Sequence, residues 1–365
     1  MVIEEAHDGF EITHASINHL DKRVQIEKRR YVRNFNQLGR FLIAPDRLIV
    51  GLSSHNATTI ESTVNLKRFD PKAVLDEAEL DSLIFRSLWE FLNHYRTWAA
   101  KKMGIPEMEL VLSGVEVTDV RLGPHRVFNP LGFSGRDFLL RLRGTFVARK
   151  FINSIERLRR WAHDTIIVEG ESVLTAAIAA LNDLVVHATH ESTRIFAARD
   201  YEQLFLKEYP WGFGHIVRAV AKNFSVDDEV ARRIIDRYSH HYVSPRIRRL
   251  TEKILREEIN SLFTMIAPIS RGVRDNQPLT HFYFRFPIPS IVESWLNKPY
   301  ARLAVFDERL KSQGFTLDVS KDVAGFSPKV HQSTLALLFQ SVPRAQYEFL
   351  NQFLKRRARW LIAHS

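Results

Sequence analysis

The chain of 365 residues contains no cysteine, which excludes disulfide staples and thiolate metal sites and fits a reducing compartment. It also lacks a long apolar run. The longest, around Ser172 to Ala188, is broken by Asn182 and Asp183, short of the roughly 20 apolar residues a membrane-crossing helix needs. The opening Met1-Val2-Ile3-Glu4-Glu5 is acidic and has no apolar core of the secretory kind. No P-loop, GxGxxG or HExxH spacing occurs, and no Ser–His–Asp order stands out. A cytoplasmic chain without a common hydrolase signature is the expectation.

What is present is ordinary globular material: 45% apolar and 26% charged residues argue against disorder and low complexity. The length suggests two lobes or several small domains. A net charge of +10 asks for an anionic partner, whether acidic peptide, lipid or nucleic acid. The basic residues gather at Lys22 to Arg33, Arg246 to Arg249 and Lys355 to Arg359. Scattered runs of this kind are not the contiguous stripe that nucleic-acid binding requires, so nucleic acid is not an expected partner.

Periodicity organises the chain. Alternation over Gly9 to Arg33 reads as a hairpin, followed by strands at Arg47 to Leu52 and Thr59 to Lys67. Leu80, Leu83, Ile84, Leu88 and Phe91 recur at three- and four-residue spacing, which predicts a helix from Glu77 to Met103. Extended segments follow at Met108 to Leu122 and Asp137 to Val147, flanking a Pro- and Gly-bearing loop. Residues 59–148 thus spell strand, helix, strand, strand, an inserted unit. Beyond it come a helix at Phe151 to Trp161, a strand at Thr165 to Val168 and a helix at Ser172 to Leu181. Three strands at Leu184 to Ala188, Thr193 to Ala198 and Tyr201 to Glu208 precede helices at His215 to Asn223, Val226 to Tyr238 and Pro245 to Met265. A strand at Thr280 to Phe286 and a helix at Ile291 to Leu296 complete an α/β pattern with two sheets.

Several stretches resemble the bacterial division protein family of FtsA, in the actin-like superfamily. Asn129-Pro130-Leu131-Gly132-Phe133-Ser134-Gly135 is similar to a loop of that family's inserted subdomain, called 1C. Trp211-Gly212-Phe213-Gly214-His215 resembles its passage from subdomain 2A into 2B, and Arg256-Glu257-Glu258-Ile259 its next helix. The resemblance implies a two-lobed actin-like (ribonuclease H-like) fold. Its lobes would be 1–58 with 149–182, carrying the insert 59–148, and 183–213 with 267–345, carrying helices 214–266. The PilM proteins of type IV pilus machines share this plan and are the alternative relative.

The family binds ATP with Mg²⁺ between its lobes, using two glycine-bearing hairpins that begin with aspartate. Where the second should stand, the chain has His187-Ala188-Thr189-His190-Glu191-Ser192-Thr193-Arg194. The leading acid is His187, the glycines are gone, and only Ser192 and Thr193 keep hydroxyls. The first hairpin, the adenosine Gly-Gly and the purine-side acid and lysine have no counterparts either. No cofactor is expected, nor catalysis of the family type; a rebuilt ATPase site is the other possibility. His187 and His190 fall on opposite faces of a hairpin, so no metal is expected there.

The last segment places Tyr347, Leu350, Phe353, Leu354, Trp360 and Leu361 on one side of a helix, with Lys355, Arg356 and Arg359 beside the other. That composition suits an anionic membrane interface, and the FtsA family ends in such a helix; docking on the fold is the other possibility. The resemblance therefore implies a scaffold at the inner face of the plasma membrane, recruiting an FtsZ-like tubulin homologue or other division proteins and able to self-associate. Arg246, Arg248 and Arg249 are the candidate docking face for an acidic tail. A PilM-like platform would instead bind a membrane partner's cytoplasmic peptide in or beside the inserted unit.

Overall fold

The computed structural model describes residues 1–6, 9–18, 20–34, 37, 45–160, 162, 164–178, 183–199, 202–272, 280–286, 290–296, 300–303, 314–320, 323, 326, 330–340 and 347–363. The chain divides into two compact units. The first comprises Met1–Leu174, Gly314–Ala324 and Ser333–Ser365; the second comprises Thr175–Gln313 and Gly325–Gln332. The span 267–345, expected wholly in the second lobe, is shared between the units.

The first unit holds a six-stranded sheet. β1 (Val2–Ala6), β2 (Gly9–Asn18) and β3 (Arg23–Val32) form an antiparallel meander, and β4 (Arg47–Leu52) runs parallel to β1. The chain then leaves the sheet through β5 (Ala57–Lys67), α1 (Glu77–Met103), β6 (Leu110–Leu122), the short β7 (His125–Arg126) and β8 (Asp137–Ala148), which pair in the order β5-β8-β6-β7. It returns through α2 (Ile152–Arg159) to β9 (Asp164–Glu169), parallel to β4, and α3 (Gly170–Ile178). The sequence pattern explains the long α1. Asp76 caps it by accepting from Glu79 N at 2.7 Å, acids occupy its first turn and lysines its last, and Gly104 ends it at φ 66°.

In the second unit β10 (Leu184–Ala188), β11 (Thr193–Arg199) and β12 (Glu202–Tyr209) form another meander, and β13 (Thr280–Phe284) and β14 (Ala301–Leu303) add parallel strands beyond β10. The order β12-β11-β10-β13-β14 repeats β3-β2-β1-β4-β9, so one topology occurs twice in the chain. Three helices, α4 (Phe213–Phe224), α5 (Asp228–Ser239) and α6 (Pro245–Gly272), bury Ile216, Val220, Ile235, Leu255 and Leu262 in this unit's core. Asp227 is the cap of α5, accepting from Val230 N at 2.8 Å. α7 (Ser290–Leu296) follows β13. In the first unit, β15 (Thr316–Val319) pairs with β3. α8 (Gln332–Gln340) and α9 (Glu348–Ala363) end the described chain.

α9 does not present its apolar face outward. Tyr347, Leu350, Phe353, Leu354 and Ala358 are buried in one core with Leu80, Leu88 and Phe91 of α1 and Leu122, Phe138 and Leu140 of the four-stranded sheet. Phe353 and Leu354, expected at a membrane, are therefore core residues. Burying such side chains stabilises the protein by about 1.5–3 kcal/mol each, and lipid offers them no more than this core does. Polar contacts fix the helix as well. A bulge at Thr118 shifts the register of β6, and the neighbouring Val117 N donates to Asn351 Oδ1 at 2.7 Å. Tyr347 donates its hydroxyl to Asp119 Oδ1 at 3.0 Å, and burial, aided by Asp119, raises its pKa so that it stays a donor. Lys355 and Arg356 are exposed, and Arg357 pairs with Asp81 of α1. The side chains of Arg359, Trp360 and Leu361 lie outside the described residues.

Candidate functional site

The residues expected to remain from a nucleotide site form the β10–β11 turn and the loop packed against it. His187 pairs in register with Arg194 and is buried, its ring 4.6 Å from that of Tyr283. The turn closes on itself. Thr189 N donates to Ser192 O at 2.8 Å, Thr189 Oγ1 to the same carbonyl at 2.9 Å, and Ser192 N to Thr189 Oγ1 at 3.2 Å. Its outward carbonyls then meet the start of α4. Phe213 N donates to Thr189 O at 3.1 Å and Gly214 N to His190 O at 2.8 Å. Helix-start N–H groups are natural anion donors, and here two of them hold the turn.

The glycines of this passage serve that contact. A Cβ on Gly212 would stand 2.5 Å from Thr189 O and 2.7 Å from His190 O. Trp211 is buried; its carbonyl accepts from Thr193 Oγ1 at 2.8 Å and its indole donates to Glu258 at 3.3 Å. His190 lies 5.5 Å from the Phe213 ring and 3.1 Å from Arg232 Nη2. His215 faces Arg218 at 3.0 Å, and burial together with that cation lowers its pKa. Glu191 is exposed. Arg194, in place of an acid, is buried and pairs with Glu208 at 3.1 Å.

These residues do not fit Mg²⁺-ATP. A phosphate cradle needs N–H groups directed at the anion, and those of Thr189 and Ser192 are spent within the turn. Magnesium is held through carboxylates, and the head of the hairpin is an imidazole.

The Asn129–Gly135 loop is built by its own geometry. Asn129 Oδ1 accepts from Leu131 N at 3.1 Å, and Gly132 takes φ 80°, donating to Leu75 O at 2.9 Å. Pro130 O accepts from Phe133 N at 3.3 Å, and Leu75 N donates back to Phe133 O at 2.8 Å. Gly135 O accepts from Arg68, which also makes a bidentate pair with Glu79 at 2.8 and 2.6 Å. The two bonded loops, 68–75 and 129–136, present Phe69, Val74 and Phe133 to solvent. No periodic pattern in the sequence marks these exposed apolar side chains. Arg246, Arg248 and Arg249 are all exposed in the first turns of α6, where cations oppose the helix dipole. Arg248 reaches His241 at 2.5 Å. The structure brings the hairpin and the Trp211–His215 loop together; both belong to the second unit, while the Asn129 loop belongs to the first.

A further cluster went unread in the sequence. Glu169, at the end of β9, is fully buried; Lys102 Nζ of α1 meets its two oxygens at 2.7 and 2.9 Å. Thr59 N at 3.0 Å and Ser172 Oγ at 2.7 Å also donate to it. It ties the inserted layer to the sheet that carries it.

No protein-family model matches the chain, and no curated protein matches it significantly. Solved structures do. A PilM–PilN type IV pilus biogenesis complex aligns with 93% of this chain and 98% of its own at 11% identity, with a TM-score of 0.51. A protein of Bacteroides thetaiotaomicron with an actin-like ATPase fold and unknown function aligns over 93% and 94% at 9% identity, TM-score 0.36. The cytoplasmic domain of EpsL, an inner-membrane component of the type II secretion system of Vibrio cholerae, aligns over 93% and 94% at 8% identity, TM-score 0.34. The chain has the actin-like fold, and among its described residues no helix is long and apolar enough to cross a membrane.

Proposed function

We propose that this chain is a protein-binding platform of the actin-like fold that does not turn over nucleotide in the family manner, with a role nearer to PilM than to FtsA. The observation that carries this reading is the closed Thr189–Ser192 turn, in which the N–H groups of Thr189 and Ser192 and those of Phe213 and Gly214 at the adjoining helix start are already engaged. The partner would be the cytoplasmic segment of a membrane protein of the PilN kind, docking on the inserted layer at Phe69, Val74 and Phe133. The protein would then sit at the inner face of the membrane through its partner. Calorimetry with ATP and ADP, with and without magnesium, tests the first half. No heat at millimolar nucleotide is the expected result, and magnesium-dependent micromolar binding overturns it. For the second half, Phe133→Ser should weaken capture of such a segment about tenfold; unchanged capture refutes the surface.

A second reading keeps the division role. Arg246, Arg248 and Arg249 stand exposed where they cost helix stability, as a docking face for an acidic FtsZ-type tail would require. Charge reversal there should abolish tail binding, and persistence of binding would remove this reading.

A further inference from the structure

The second unit contains a cleft of about 590 Å³ between α6, α7 and the β13–β14 edge of the sheet. It is separate from the hairpin. In register, His187 at the hairpin head pairs with Tyr283 and Ala188 with Phe284, whereas the cleft takes Thr280 and Phe282. Four residues of strand put Thr280 about 13 Å from Phe284. Pro268 in the neighbouring turns of α6 has no N–H to give the Thr264 carbonyl, so α6 is short of one hydrogen bond there.

Its chemistry is one-sided. Phe263 and Phe282 meet edge to face at 5.3 Å, and Trp295 and Tyr300 also line the cleft. Arg256 is the charged residue among the described lining, with Asn260, Ser270 and Thr280 as neutral polar groups. The Arg256 guanidinium lies 4.8 Å from the Trp295 ring, and its Nη2 is 3.4 Å from Glu252. Stacking on the indole orients a fork whose other nitrogens can meet an anion. The volume lies in the range of small-molecule sites and exceeds what one side chain fills.

We propose that this cleft binds a small, flat, apolar anion, with its rings among Phe263, Phe282 and Tyr300 and its acidic group on Arg256. The site is independent of nucleotide and of the partner surface proposed above.

The test uses the full chain with anilinonaphthalene sulfonate as the anionic probe and N-phenylnaphthylamine as its uncharged counterpart, each followed by fluorescence. Saturable binding of one sulfonate per chain is expected. Arg256→Gln should weaken the sulfonate about tenfold and leave the amine within about twofold. Ala267→Trp, which puts an indole where the ligand's rings would lie, should weaken both at least tenfold. Should that variant melt early by circular dichroism, Asn260→Trp on an exposed turn of α6 repeats the block. Sulfonate binding that the block leaves unweakened, that fails to saturate near one per chain, or that is insensitive to Arg256→Gln overturns the proposal.

Discussion

Replacing Lys102 by methionine tests the buried cluster that joins the inserted layer to its sheet. The Lys102 side chain is 6% exposed and that of Glu169 is 0% exposed. In Lys102→Met the apolar stem is retained, while the carboxylate keeps Thr59 N–H and Ser172 O–H but loses its cation. Breaking a buried pair from one side costs about 3–5 kcal/mol, because the surviving charge is left uncompensated. Hydrogen exchange read over 57–67 and 77–103 should therefore lose about two to three and a half powers of ten in protection. Peptides from α4 and α5 serve as the internal reference. The double variant Lys102→Met/Glu169→Gln removes the orphaned charge and keeps a neutral acceptor for Thr59. It should recover all but about 1 kcal/mol, that is about 2–4 kcal/mol of what the single variant loses. A single variant with nearly wild-type protection, or a double variant no better than the single, refutes the argument.

Other perturbations follow from the same geometry. Gly212→Ala puts a methyl into two carbonyl oxygens and should cost upwards of about 2 kcal/mol, read as a fall in Tm. An unchanged Tm would mean that the turn and α4 can part cheaply. Asn351→Leu strands the Val117 N–H and should destabilise by about 1–3 kcal/mol, although leucine is the more apolar residue; stabilisation would refute that bond. Burial is the main cause of the lowered pKa of both His14 and His215, assisted by nearby cations. Their folded pKa lies below the ordinary 6.5. Their contribution is therefore full above that value and is lost as the pH falls through it, because the unfolded chain takes up protons more readily. Tm should drop between pH 7 and pH 5, and less steeply in His215→Gln; equal slopes would exclude His215 as a source. Reversing Arg246, Arg248 and Arg249 to glutamate should raise helix stability by a few tenths of a kcal/mol per site, the order of a dipole interaction, and thermal melting reads the sign.

Much of the fold was legible because the elements obey simple periods. The 3.6-residue recurrence of Leu80, Ile84, Leu88 and Phe91 sets α1, and alternation sets β5 and β8. β1 escaped because Glu4 and Glu5 break the apolar run after Val2 and Ile3. Glu4 is buried beneath Ser333 and Thr334, whose hydroxyls donate to it from more than three hundred residues away, and no local pattern carries such a pairing. The C-terminal helix stayed open between membrane and fold because a hydrophobic stripe does not say whether protein or lipid covers it. Asn351 was the available signal: an amide amid that stripe is costly in hydrocarbon and natural opposite an unpaired strand N–H. At the candidate site, the loss of the hairpin glycines and acid was visible in the sequence. That Gly212 and Gly214 had become parts of a clasp on the turn was not, since it depends on two loops more than twenty residues apart meeting at van der Waals distance.

The seating of α9 also sets a timetable for synthesis. The sheet of β5 to β8 is translated by residue 148, yet the bond from Val117 to Asn351 spans 234 residues. At ribosomal rates the layer waits roughly ten to fifty seconds for the helix that covers it. During that interval Leu122, Phe138 and Leu140 lack part of their cover, and the nascent chain is a client for chaperones. The whole second unit is made within this window, so the first unit to begin folding is the last to be sealed.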